Sequence, residues 1–195
     1  MLENLLKQVR ACRLCEPDLP LGANPIVQAS SSAKLLIIGQ APGTRVHQTS
    51  IPWNDPSGNR LREWLELDNE TFYDANKIAI MPMGLCYPGK GNSGDLPPRK
   101  ECAQQWHHRI LEQLPNVGMT LLIGQYAQNY YLRDKPKTLT ETVQQWHRWA
   151  PKYLPLPHPS PRNTLWLKKN PWFEAEVVPY IRDYVHCHLK QHNKQ

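Results

Sequence analysis

Two hydrophobic periods alternate along this chain. Leu2, Leu5, Leu6 and Val9 recur at the three-and-four spacing of one helical face. Leu35-Leu36-Ile37-Ile38, the stretch 77–83 and Met119–Ile123 are instead nearly continuous apolar runs, which suits strands covered on both sides. Tyr153-Leu154-Pro155-Leu156 reads as a fourth, shorter strand. Helical spacing returns between the strands. Ser57 is placed to cap a helix carrying Leu61, Trp64 and Leu65, and Pro97-Pro98 opens one carrying Cys102, Ile110, Leu111 and Leu114. A short helix is expected over 127–132, and a longer one over 172–189, where Pro179 predicts a kink or break. Strands alternating with helices predict an α/β fold in which a mainly parallel, four-stranded sheet lies between helices.

The polar segments are as informative as the apolar ones. Stretches 16–32 and 87–94, rich in Gly, Pro and Ser, read as loops, 44–56 reads as a long active-site loop, and 142–153 reads as partly loop. Strand one runs into Gly39-Gln40-Ala41-Pro42-Gly43, a tight turn where backbone can approach a ligand closely. Strand four delivers His158-Pro159-Ser160-Pro161-Arg162-Asn163. Loops at the carboxyl ends of parallel strands are where α/β proteins place their sites, so these two are expected to meet over one substrate.

Composition narrows the class. A chain of 195 residues has room for one sizeable core, and a single domain spanning 1–195 is expected. Its 19 prolines, about twice the usual share, predict much rigid loop. No apolar run approaches the roughly 20 residues that cross a bilayer, and the first residues lack a basic-then-apolar leader pattern. A cytoplasmic monomer with no membrane partner is therefore expected. A net charge of +6 and a pI near 9.1 are compatible with a polyanionic partner such as DNA, and equally with a basic surface kept for solubility.

Cys12 and Cys15 form a Cys-x-x-Cys pair, while Cys86 and Cys102 flank a Pro/Gly-rich loop. Four thiolates suit an iron–sulfur cluster or structural zinc, and the spacing is not the double Cys-x-x-Cys of zinc ribbons. The plain alternative is that Cys86 and Cys102 are small core residues. Cys187, between two histidines, stands apart as an ordinary helix residue.

Taken in order, Cys12-x-x-Cys15, the Gly39–Gly43 loop, Pro52-Trp53-x-Asp55-x-Ser57-Gly58, Cys86 to Cys102 and His158-Pro159-Ser160 resemble the uracil-DNA glycosylase superfamily, most closely its iron–sulfur families four and five. The resemblance covers about 12–163. It implies a three-layer α/β/α sandwich, a [4Fe–4S] cluster on Cys12, Cys15, Cys86 and Cys102 with zinc as the alternative occupant, and removal of uracil or a related base from DNA containing a damaged base.

That reaction passes through an oxocarbenium-like sugar, so one side needs a carboxylate and a positioned water, and the other needs help for the departing base. Asp55 is the candidate for the first task, with helix capping as its alternative role. His158 is the candidate for the second, donating to a base oxygen as charge develops there. Gly39, Gln40, Ala41, Pro42 and Gly43 would line the base, and Trp53 would stack on it or serve as core. Ser160, Pro161, Arg162 and Asn163 would meet DNA, with Lys168 and Lys169 adding charge; His47 lies in the long loop as a lesser candidate.

Two departures bear on specificity. The first loop contains no acid, where several superfamily members carry Asp or Glu, and Met81-Pro82-Met83-Gly84 stands where uracil-specific relatives place an asparagine that reads the pyrimidine edge. A broader or altered base range, rather than strict preference for uracil, is the expectation. Two other classes fit the same residues: a nucleic-acid-binding protein without turnover, and a small-molecule hydrolase with structural zinc.

Overall fold

The structure, a computed structural model, describes residues 1–190. Helix α1 spans Leu2–Arg10, and strand β1 spans Leu35–Ile38. Three helices follow, α2 (Thr44–Thr49), α3 (Pro56–Leu65) and α4 (Asn69–Phe72), before β2 (Ile78–Ile80). A small hairpin, β3 (Lys90–Gly91) and β4 (Gly94–Asp95), precedes a helical run over 100–111 made of α5 (Lys100–Cys102), a wide turn at Ala103–His107 and α6 (His108–Leu111). Then come β5 (Met119–Ile123), α7 (Gln125–Tyr131), α8 (Leu139–Gln144), β6 (Tyr153–Leu156), α9 (Thr164–Lys169) and α10 (Val178–Leu189).

The main sheet has the order β2-β1-β5-β6, all parallel. Because side chains alternate across a sheet, each apolar run feeds two cores. Leu35, Ile37 and Leu121 enter one with Leu61 and Trp64 of α3 and Ile181 of α10. Leu36, Ile38 and Leu122 enter the other with Leu6 and Val9 of α1 and Ile110 of α6. The expected α/β/α sandwich is thus the observed architecture. Both faces are covered, which is why the strands read as unbroken apolar runs.

The sheet's edges are managed by particular residues. Pro155 is tolerated in β6 because that strand is terminal in the sheet and needs hydrogen bonds on one side only. On the opposite edge Gln28 pairs with Ile80 through both backbone groups (2.9 and 2.7 Å), and its side chain donates to the Ile78 and Phe72 carbonyls.

Three expectations need correction. Residues 44–49 form α2 rather than loop; only Val46 is buried in it, so six residues carry no readable period. Helix α3 starts at Pro56, one residue before the expected cap Ser57. Pro179 does not break the last helix. It occupies the second position of α10, after a wide π-type turn at Phe173–Val177, where the loss of one N–H disturbs no established ladder.

Candidate active site

Strand β1 delivers Gly39 to the mouth of a cavity at the carboxyl end of the sheet. The loop is held from beneath: Met83 N–H donates to the Gly39 carbonyl at 2.8 Å, and Gly84 N–H donates to that of Gln40 at 3.0 Å. A Cβ on Gly39 would lie 2.8 Å from Trp53 Cζ2, so glycine lets the indole lie against the strand end.

The turn 51–53 places that indole. Trp53 adopts φ +56°, a left-handed backbone that a bulky residue keeps only when its surroundings hold it. Arg62 Nη1 donates to the Trp53 carbonyl (3.2 Å) and to Tyr73 Oη (3.1 Å), while Tyr73 donates to the Pro52 carbonyl (3.0 Å). Gly58 completes the seat, because any Cβ there would fall 1.7 Å from the Trp53 carbonyl oxygen. Trp53 is half-buried against the core and also walls the cavity.

Asp55 caps α3, its Oδ1 accepting from Gly58 N–H at 2.7 Å. The same residue lines the cavity opposite His158. Capping therefore engages one carboxylate oxygen while the residue still borders the space where chemistry would occur.

His158 is held by its own loop through one ring nitrogen. Ser160 N–H donates to its Nδ1 (3.2 Å), which leaves the ring proton of the neutral imidazole on Nε2. Burial pushes the His158 pKa down, and the Asp55 charge only partly opposes this, so the ring is neutral at physiological pH. The Trp53 and His158 rings lie 5.7 Å apart.

The rest of this loop is self-supporting. Asn163 Nδ2 donates to the His158 carbonyl (2.8 Å), Arg162 N–H donates to Ser160 Oγ (3.2 Å), and Arg60 Nη1 donates to the Ser160 carbonyl (3.0 Å). Pro161 and Arg162 are exposed, and Arg162 Nη1 donates to the Ser93 carbonyl at the hairpin tip (3.3 Å).

An inner chamber of ≈ 50 Å³ is bounded by Gly39, Gln40, Pro42, Trp53, Pro82 and His158. An outer groove of ≈ 300 Å³ continues from it, sharing Gln40, Ala41, Gly43, Asp55 and His158 and adding Lys90, Asp95, Ser160 and Arg162. A cavity of about 150 Å³ is known to hold benzene, so a base would straddle the junction rather than sit wholly within the inner chamber. The structure thus brings together every residue expected at the base and both expected catalytic residues, with Ser160 and Arg162 on the outer rim.

Sequence reasoning missed Lys90 and Asp95. The available signal was Gly91-Asn92-Ser93-Gly94, a two-residue hairpin turn flanked by glycines. His47 stands aside: its ring faces Tyr87 at 6.3 Å, and its Nδ1 is buried with no partner among the described residues. Lys168 and Lys169 end α9 and line neither chamber.

Cys15, Cys86 and Cys102 are buried and Cys12 is half-buried, and none of them is in a disulfide. They share one neighbourhood. Burial pushes the Cys102 thiol up to about 12 and the Cys86 thiol up to about 11, and in both cases the other cysteines of the set add repulsion. Backbone N–H groups of Asn24 and Leu85 face Cys86 and Cys102, and the Arg99 guanidinium faces Cys15. Among the described residues, however, no group of three or more His, Cys, Asp or Glu is arranged to hold a metal ion. Cys187 is exposed on α10, away from the set.

No helix among the described residues is long and apolar enough to cross a membrane. The family model described as the uracil DNA glycosylase superfamily matches residues 27–182, a span that holds both cavity loops, Cys86 and Cys102 but begins after Cys12 and Cys15. That match extends over most of the sequence and over every cavity residue but Ile26, so the chain belongs to the uracil DNA glycosylase superfamily.

Proposed function

We propose that this protein hydrolyses the N-glycosidic bond of uracil or a related deaminated base in DNA. The observation that carries the reading is His158: its Nδ1 is occupied by Ser160 N–H, so its one ring proton sits on Nε2, on a residue that lines a cavity shared with Gln40 and Trp53. When the bond to the base breaks, its electrons move onto the base, and a neutral donor at a base oxygen stabilises the charge that develops there. The donor needs no rearrangement to act, because both flanking prolines and the Asn163 bond hold the loop.

An extruded base would enter at the junction of the two chambers, beside the Trp53 ring and the Gln40–Gly43 backbone, with the sugar in the outer groove and phosphates near Lys90 and Arg162. The wall at Met81-Pro82-Met83 offers no side-chain amide, which supports a range wider than uracil alone. The test is direct. Purified protein incubated with single-stranded oligonucleotides containing uracil, hypoxanthine or xanthine, then treated to cleave abasic sites, should release product from at least one. Binding without product from any of them overturns the reading in favour of a binding protein without turnover.

We propose further that Cys12, Cys15, Cys86 and Cys102 hold a [4Fe–4S] cluster. What supports the reading is the donor chemistry: four thiols share one neighbourhood in which backbone N–H groups and a guanidinium face the sulfurs, and Arg99 Nε is buried with no partner among the described residues. A single zinc ion requires its sulfurs about 2.3 Å from one centre, whereas a cluster spreads its ligands over four irons. The cluster would contribute a rigid crosslink between the end of α1 and the segment 86–102. Anaerobically purified protein should absorb broadly in the visible and contain iron with inorganic sulfide; a colourless protein carrying zinc overturns this.

A further inference from the structure

We infer that Asp95, on the β3–β4 hairpin, is the carboxylate that takes the proton of the attacking water, while Asp55 chiefly caps α3. The inference rests on the glycosylase reading and adds the residue that the first loop lacks. A Cβ on Gly43 would lie 3.7 Å from Asp95 Oδ2, so the carboxylate stands directly over the acid-free loop. It borders the outer groove together with Gln40, Asp55 and His158, where the sugar of a base seated at the junction would lie.

Asp95 is exposed as a residue, yet its carboxyl is partly desolvated, and this raises its pKa against the pull of Arg162 and Lys90. The groups facing it are Lys90 across the hairpin, Arg162 and Ser160 from the His158 loop, Tyr87 from the preceding segment, and Asp55 and His158 across the groove. It makes no salt bridge within 4 Å among the described residues, so its oxygens are free to accept from water. Asp55, by contrast, already accepts the Gly58 N–H.

The hairpin is also held in place for such a role. Arg162 Nη1 donates to the Ser93 carbonyl and lies 3.1 Å from where a Gly94 Cβ would be, so the tip is latched to the loop that carries His158. In the reaction the C1′–N bond breaks with its electron pair leaving on the base, and the water oxygen bonds to C1′. One water proton passes to the Asp95 carboxylate and then to solvent, while the base anion takes a proton from water. The sum is one water consumed, with free base and an abasic sugar formed.

The experiment is single-turnover cleavage of uracil-containing single-stranded DNA by the full-length protein, with DNA affinity and melting temperature measured alongside. Asp95→Asn should slow the chemical step by about 10²- to 10⁴-fold, the span of a general base, with affinity and melting temperature held. The acidic limb of its pH–rate profile should vanish, and formate should restore part of the rate in Asp95→Ala, which a purely structural role would not allow. Asp55→Asn keeps a good cap and should cost less than tenfold. Active wild type with full rate in Asp95→Asn, an unchanged acidic limb, no formate rescue, or a larger loss in Asp55→Asn each overturns the inference and leaves the glycosylase reading standing. Inactive wild type on every base tested overturns both.

Discussion

Two histidines lie near the cavity, His107 buried and His158 half-buried, and they are opposite in what they can do. His107, in the wide turn between α5 and α6, is 1% exposed and uses both ring nitrogens: Nε2 lies 3.0 Å from the Pro82 carbonyl and Nδ1 lies 2.6 Å from Tyr131 Oη. His158 uses Nδ1 alone, which leaves Nε2–H without a partner among the described residues on a side chain that lines the cavity. Burial pushes both pKa values down, that of His107 to about 4. A neutral histidine is therefore no mark of chemistry by itself; what separates the two is that His158 keeps a ring N–H unspent and lines the cavity. The comparison is not one of function against irrelevance, because Pro82 walls the chamber and His107 fixes it from behind.

Substitution of His158 should have the largest effect. His158→Ala should lower the single-turnover rate on uracil DNA by about 10²- to 10³-fold, the usual cost of one preorganised donor, while the melting temperature changes little. A rate within threefold of wild type would place the developing charge elsewhere.

The next effect belongs to His107 and is read from stability against pH. Its folded pKa of about 4 lies below the ordinary 6.5, so between these values the unfolded chain binds more protons than the folded one. Stability is therefore complete above about pH 6.5 and falls as the pH is lowered toward 4, by up to about 3 kcal/mol. His158 adds to the slope with the same sign. His107→Gln preserves a donor for Pro82 and should cost about 1 kcal/mol at pH 7.5, yet it should flatten part of the slope. Chemical denaturation at pH 7.5, 5.5 and 4.5 distinguishes the two proteins; parallel curves would remove His107 from the acid response.

Neither histidine's role was equally visible beforehand, and the reason is physical. His158 sits between prolines on a strand-end loop, a local arrangement that already limits what its ring can do. His107 lies in a helix beside another histidine, and its two partners come from residues 82 and 131, contacts set by tertiary packing. The same division holds elsewhere. Leu35-Leu36-Ile37-Ile38 revealed β1 because burial on both faces removes polar positions from the run itself. Helix α2 was hidden because one buried residue in six has no period. Asp55 read as either acid or cap because Asp before Pro is common in both settings, and only the 2.7 Å bond to Gly58 N–H shows the cap. Asp95 reached the groove through a hairpin whose position depends on Arg162, 67 residues later by its number.

The smallest predicted effect sharpens the His158 side. Trp53 lies 5.7 Å from His158 with φ +56°, and Arg62 and Tyr73 hold its turn. Arg62 also stacks its guanidinium over Phe72 at 5.0 Å, so its side chain supports the turn and packs the core at once. Arg62→Lys removes the planar fork but keeps the charge and most of the stem, which should cost about 1 kcal/mol. The loss of one donor to the Trp53 carbonyl should let the indole tilt away from Gly39, widening the inner chamber and weakening the stacking wall. Turnover on uracil should then fall several-fold, with weaker binding of the oligonucleotide and a changed tryptophan emission. His107→Gln should alter none of these three readouts to the same degree, since its bonds reach the chamber only through Pro82; an equal change in both variants would mean that His107 supports the indole wall as much as Arg62 does.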